Sequence, residues 1–292
     1  MLSQRGHSRE QAEKARRENF PVASRLLPRR HREHLMAVYG FARSVDDVGD
    51  DERPDDRLRL LAEFEADLAR LYDGQAPRLP AVRALARTVQ ECSIPAEPFH
   101  LLIEANRLDQ AVTRYETFDD LLGYCELSAN PVGRIVLHVF GEVSGPRLAL
   151  SDRVCSALQV IEHCQDVGED YRRGRVYLPQ EDLRRAGCPI GHLAAAATSP
   201  QLREVVAMQA ARAGKLLAEG QMIVVSLSGF ARTAVAGYVA GGHATLAALR
   251  SAHYDVLGRA VRPRRLRLLR AWARVLMTMR WPDARLQRLP SA

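Results

Sequence analysis

In the stretch Tyr39-Gly40-Phe41-Ala42-Arg43-Ser44-Val45-Asp46-Asp47-Val48-Gly49-Asp50-Asp51, Asp46 and Asp50 stand four residues apart. The apolar period around them predicts a helix, so both carboxylates fall on one face. Like charges at that spacing weaken a helix by only about 0.2 to 0.5 kcal/mol, and a solvated acidic helix end is one reading. Tyr39 and Arg43, seven and three residues before Asp46, extend the same stripe. A tyrosine, an arginine and two aspartates in one row beside an apolar face are better explained as a site. A second row runs through Leu158-Gln159-Val160-Ile161-Glu162-His163-Cys164-Gln165-Asp166-Val167-Gly168-Glu169-Asp170, where Glu162, Asp166 and Asp170 recur every four residues and Gln159 shares their face. Mg²⁺ takes oxygen ligands, often one or two carboxylates completed by water and substrate phosphate, so two facing rows could clamp a metal-bound diphosphate. Either row alone fits a solvated surface about as well; their coincidence favours a site.

The second row leads into Tyr171-Arg172-Arg173-Gly174-Arg175-Val176-Tyr177-Leu178-Pro179. This exit is broken by glycine and carries arginines, whose planar fork suits phosphate; an ordinary loop is the plainer alternative. Helices must position all of these groups. Leu35, Val38, Ala42 and Val45, then Leu58, Leu61, Phe64, Leu68 and Leu71, repeat at helical spacing, and alternating strand patterns are essentially missing. Breakers at Pro54, Asp73-Gly74, Pro77 to Pro80, Pro95, Gly145-Pro146, Gly174, Pro179, Gly187 to Pro189, Pro200 and Pro263 separate roughly ten helices. None of these breaks is long enough for an interdomain linker, so a single all-α domain over residues 1–292 is expected, with residues 1–15 a loose tail.

Bulk properties narrow the function. With 47% apolar and 26% charged residues and no long biased stretch, the chain is globular rather than disordered or fibrous. Five cysteines without a CxxC pair argue against a disulfide framework and a zinc ribbon, and the polar N-terminus lacks the apolar core of a secretory signal. A cytoplasmic protein is expected. Met222 to Leu249 is apolar but interrupted by glycines, His243 and Arg232, and reads as a core helix rather than a membrane span. The net charge of +7 is compatible with nucleic acid, acidic lipid or an anionic substrate. The arginines are dispersed and no nucleic-acid-binding motif is apparent, so nucleic acid ranks last.

These stretches resemble the squalene and phytoene synthase family of head-to-head prenyl synthases. The likeness rests on the aspartate-rich DxxxD from Asp46 and on QDVGED with GRVYLP between Gln165 and Pro179, the second of which is highly specific. Tyr124-Cys125 with Val132-Gly133, and Tyr254 with Arg259, carry it along nearly the whole chain. The resemblance implies an isoprenoid-synthase-like helical bundle around a central cavity, with Mg²⁺ held at its mouth and an apolar tunnel for prenyl chains. It implies that Asp46, Asp50, Asp166 and Asp170 hold metal, that Arg43, Arg175, Tyr177, Tyr254 and Arg259 contact or orient the diphosphate, and that Tyr39, Val132, Gly133 and Gln159 line the cavity. Glu162 departs from the asparagine common in the family; it is counted here as a further metal ligand or as a group acting on a nearby water. His163 is expected to be a packed or capping imidazole.

The string Arg16-Arg17-Glu18-Asn19-Phe20-Pro21-Val22-Ala23-Ser24-Arg25-Leu26-Leu27-Pro28 lacks the histidine or serine that condensing members carry shortly before the phenylalanine. It resembles instead the hydroxysqualene synthase branch of bacterial hopanoid biosynthesis, which converts presqualene diphosphate and water to hydroxysqualene. That resemblance implies a Mg²⁺-dependent lyase without NADPH; no GxGxxG after a strand is present. Phe20 and Tyr39 would then offer aromatic faces to a carbocation. Phytoene or presqualene diphosphate synthesis, and a catalytically silent assembly or binding relative, are the alternatives. The enzymes before and after it in the pathway are expected functional partners. Arg262 to Trp281 reads as a basic amphipathic helix. Packing onto the core is the favoured account of it, and peripheral contact with the inner face of a membrane is the other.

Overall fold

A computed structural model describes residues 27–51, 53–258 and 260–278. The expected all-α architecture is what it shows, and the nearest thing to a strand among these residues is an isolated bridge between Arg114 and Val176. In chain order the helices are α1 (Arg29–Asp51), α2 (Pro54–Tyr72), α3 (Pro80–Cys92), α4 (Glu97–Ala111), α5 (Phe118–Ser128), α6 (Asn130–Phe140), α7 (Gly145–Gln165), α8 (Val167–Arg172), α9 (Gln180–Arg185), α10 (Pro200–Gly220), α11 (Ile223–Ser226), α12 (Gly229–Ser251) and α13 (Arg265–Thr278), with a 3-10 turn at Ile190–Ala194. Prolines open many of them, at the first or second position of α2, α3, α4, α6, α7 and α10, where the missing N–H costs nothing and φ is already helical. Thr117 caps α5 with a reciprocal box: its side chain accepts from the Asp120 N–H while Asp120 accepts from the Thr117 N–H.

Two boundaries depart from the apolar period. The second carboxylate row is not one helix: α7 stops at Gln165 and α8 restarts at Val167, with Asp166 at the joint in a non-helical conformation (φ −102°, ψ 14°). The apolar run from Met222 divides at Leu227-Ser228 into the short α11 and the long α12, whose buried face includes Val235, Ala236, Val239, Ala240 and Leu249. It is a core helix, and no helix among the described residues is long and apolar enough to cross a membrane.

Two apolar clusters result. One gathers Phe41, Leu61, Leu68, Leu85, Phe99 and Ile103 from α1–α4, together with one side of α6. The other gathers Val160, Val206, Leu217, Ala236 and Leu249 from α7, α10 and α12. The α7–α10 contact is the most extensive between any two helices. Within it, a Cβ built on Gly220 lies 2.9 Å from the Leu150 carbonyl oxygen and 2.9 Å from the Val154 backbone nitrogen. Backbone cannot move aside as a side chain can, so Gly220→Ala is expected to destabilise the fold by about 1 to 3 kcal/mol, to be read as a lower urea midpoint with an unchanged m-value.

Candidate active site

Between the clusters lies a cavity of about 390 Å³, walled by α1, α6, α7, α11 and α12. Its apolar walls are Leu35, Val38, Val136, Leu137, Val154, Leu158, Ile223 and Val235, and its polar end carries Tyr39, Arg43, Asp46, Gln159 and Glu162. The first row reaches the cavity because α1 turns one stripe inward. Val132 and Gly133 of α6 line it as well, and a Cβ on Gly133 would come within 2.5 Å of both the Ser151 Oγ and the Cys155 Sγ, so glycine lets α6 lie close on α7.

Asn106 of α4 donates from Nδ2 to the Asp46 Oδ1 at 3.0 Å. Water reaches Asp46 from the cavity, but the surrounding walls desolvate it, and Asp50 and Asp109 lie near; burial first and these like charges next push its pKa up to about 6 despite Asn106 and Arg43. Arg43 pairs with Asp47 at 2.6 Å rather than with the row itself. Across the mouth, burial and the neighbouring Asp170 and Glu169 raise Asp166 to about 6, against the opposing pull of His163 and Arg262. His163 is packed, as expected: buried, stacked on Tyr177 with centroids 3.8 Å apart, 3.1 Å from the Gln159 amide nitrogen and 3.7 Å from Asp170.

A third element completes the mouth. The segment after α8 is tied to the segment after α4 by the Val176 N–H donating to the Thr113 carbonyl and the Gln180 N–H to the Tyr115 carbonyl. This tie carries Arg175 and Tyr177 onto Asp109. Tyr124 and Tyr177 donate their hydroxyls to the two Asp109 oxygens at 2.9 and 3.2 Å. Arg175 lies 3.9 Å from Asp109 and donates to the Asp50 Oδ1 at 2.7 Å, while Arg173 holds the other Asp50 oxygen at 3.3 Å. Burial raises the Asp109 carboxyl, and Arg175 and the two hydroxyls pull it back.

The structure therefore gathers Tyr39, Arg43, Asp46, Val132, Gly133, Gln159 and Glu162 at the cavity and Asp50, Asp166, Asp170, Arg175 and Tyr177 in the charged and aromatic groups at its mouth. Tyr254, expected to contact or orient the diphosphate, lies apart from these groups. Its backbone is left-handed (φ 55°), and it lines a separate hollow of about 230 Å³ with Ala210, Gly214, Leu246 and Arg250, not the cavity. Phe20 and Arg259 lie outside the described residues. Asn106, Asp109 and Arg262 are functional candidates that the spacing rules did not single out. Asn106 and Asp109 stand three apart on one face of α4, but the helix also carries Glu97, His100, Glu104, Arg107 and Gln110, so nothing in the sequence marks these two out.

Among the described residues no three carboxylate, imidazole or thiolate groups converge on one point. The available donors are carboxylate oxygens, which fit a hard cation whose remaining ligands are water and phosphate oxygens. The raised Asp46 and Asp166 point the same way, since a cation between such groups relieves what holds their protons on.

Comparison with known proteins agrees with this geometry. The profile of the squalene/phytoene synthase family matches residues 14–272. The chain is 37% identical to the hydroxysqualene synthase of Rhodopseudomonas palustris over 218 residues, 74% of this chain and 73% of that protein. It is similar to the crystal structure of squalene synthase HpnC from Alicyclobacillus acidocaldarius, with TM-score 0.76 and 38% identity over 87% of this chain and 97% of that one. A ligand complex of a dehydrosqualene synthase superposes with TM-score 0.83 at 25% identity, covering 95% of this chain and 98% of that one.

A carboxyl whose folded pKa is about 6 against an unfolded value of 3.8 binds more protons in the folded state, so its contribution to stability falls as pH rises through that interval. Asp46→Asn removes this contribution. Without metal, the melting temperature of the variant relative to the unaltered protein should therefore be higher at about pH 7.5 than at about pH 4.5. Mg²⁺ should raise the melting temperature of the unaltered protein more at about pH 7.5 than at about pH 5, because protons compete for the same oxygens.

Proposed function

This chain belongs to the squalene/phytoene synthase family, and we propose that within it the chain converts presqualene diphosphate and water to hydroxysqualene, diphosphate and a proton. The observation that carries the reading is an apolar cavity closed at one end by two groups of carboxylates with arginines among them. That is an arrangement for a molecule with a long hydrocarbon part and a diphosphate head. The likeness to the hydroxysqualene synthase of Rhodopseudomonas palustris supports the choice of reaction.

Mg²⁺, held by Asp46 and Asp50 on one side and Asp166 and Asp170 on the other, would supply neutralisation of the diphosphate. The chain's own residues do the rest. Arg43 and Arg175 bind the diphosphate oxygens, and Arg175 can leave Asp50 because Asp109 remains beside it. Charge stabilisation at the mouth lowers the barrier to breaking the carbon–oxygen bond. The cyclopropylcarbinyl cation that results is held among apolar walls, where the face of Tyr39 is worth about 0.5 to 2 kcal/mol to it. Water adds to the rearranged cation and loses a proton to Glu162, which lines the polar end of the cavity. No electrons are transferred, so NADPH is not required by this reaction.

Purified protein with Mg²⁺ and presqualene diphosphate, without NADPH, should give hydroxysqualene in a lipid extract read by mass spectrometry. Presqualene diphosphate formed from farnesyl diphosphate alone would instead make the chain a condensing synthase. Asp166→Asn should lower kcat by about 10² to 10³-fold, the scale on which loss of one charge-stabilising group is felt. Glu162→Gln should still consume substrate but yield a smaller share of alcohol among the products.

A further inference from the structure

Helix α13 runs antiparallel to α12 and is fastened to it at both ends. Arg267 donates to the Ser251 hydroxyl at 3.2 Å, the Trp272 indole N–H to the Thr233 carbonyl at 3.1 Å, and Arg232 to the Leu276 carbonyl at 3.4 Å. Ala271, Trp272, Val275 and Leu276 pack against the core. This packing does not use up the apolar residues of the helix. Leu266, Leu269 and Met277 are 70%, 55% and 62% exposed, and with the exposed Ala273 they follow one stripe at i, i+3, i+7 and i+11, on the side away from α12. Helical geometry sets Arg270, Arg274 and Arg267 along one flank of that stripe and Arg265 along the other.

About half of the described arginines are ion-paired, and these four are not among them. Arg59, Arg87, Arg107, Arg134, Arg153 and Arg184 each sit against a carboxylate, whereas none of the four forms an ion pair with a described carboxylate. No Asp or Glu occurs between Val256 and Thr278. Four uncompensated charges on one helix are more than half of the chain's surplus of +7. An apolar stripe flanked by unneutralised arginines is complementary to a surface that is negative outside and hydrocarbon beneath.

We propose that this face of α13 docks on an anionic phospholipid bilayer. The helix lies in the plane of the interface, with Leu266, Leu269 and Met277 among the upper acyl chains and the four arginines at the headgroup phosphates. Both faces are then used, one for the core and one for lipid, so the two accounts of this basic segment are not exclusive.

The test is flotation of the full chain with vesicles of phosphatidylglycerol and phosphatidylcholine in equal parts, and with phosphatidylcholine vesicles alone, at about 0.15 M salt. The protein should float with the first and largely stay behind with the second. Leu266→Ser/Leu269→Ser/Met277→Ser should weaken binding to the mixed vesicles by about tenfold or more, with melting temperature and turnover in detergent unchanged. Arg270→Gln/Arg274→Gln should weaken it as well and reduce its salt dependence. Equal binding by the serine variant would overturn the proposal, since attraction would then be electrostatic without insertion. So would failure of the unaltered protein to float, or a self-association in sedimentation velocity that the serine variant abolishes, which would assign the face to a second copy of the chain.

Discussion

Negative charge is concentrated where two helices end. Asp46, Asp47 and Asp50 occupy the last turns of α1, and Asp166 stands at the C-terminal end of α7. The helix macrodipole is negative at the end of α1, so Asp50 meets an unfavourable field of about 0.3 to 1 kcal/mol in addition to its neighbours, whereas Asp166 also stands at the N-terminal end of α8, which offsets the field of α7. A fold selected for stability alone would put cations there. Much of the surrounding structure opposes this repulsion: Asn106 on Asp46, Arg173 and Arg175 on Asp50, and His163 and Arg262 near Asp166. These groups come from several other parts of the chain, and together they hold the carboxylates at the mouth of the cavity in place.

The same constraint explains the break at Asp166. A continuous helix would stack Glu162, Asp166 and Asp170 in one row, each about one turn above the last. The joint sets Asp170 in a new helix, within 3.7 Å of His163 and away from a strict column. The aromatic group of Tyr115, Tyr124, Tyr177 and His163 backs this joint, with Tyr115 and His163 both stacked on Tyr177. Rigid rings behind a charged mouth keep its geometry fixed at low conformational cost. The bridge between Arg114 and Val176 brings Tyr177 into that stack, and so a very short piece of extended pairing shapes the site in an otherwise helical protein.

Charge and hydrocarbon are separated along the cavity. Apolar side chains from both clusters line most of it, and the charged groups Arg43, Asp46 and Glu162 gather at one end. For the proposed reaction, such a division would exclude water from the region where a carbocation travels and strengthen the electrostatics where a diphosphate leaves. It arises because the inward stripe of α1 is apolar at Leu35 and Val38 and becomes polar at Tyr39, Arg43 and Asp46.

Local sequence determined the helices, their proline starts and the two carboxylate groups, because helical periodicity and i, i+4 spacing act over a few residues. It also determined that α1 presents Tyr39, Arg43 and Asp46 on one stripe, as the cavity lining shows. Only the tertiary structure decided that Arg175 would bind Asp50, 125 positions away, or that Asp109 would take the hydroxyls of both Tyr124 and Tyr177. No local rule pairs such distant groups. Tyr254 shows the same limit, for the family resemblance implied a diphosphate contact there, but the turn after α12 directs it to another hollow. Helix α13 is the remaining case. Its amphipathic pattern was legible, yet which apolar residues are covered depends on where α12 lies, and that is a property of packing rather than of the segment.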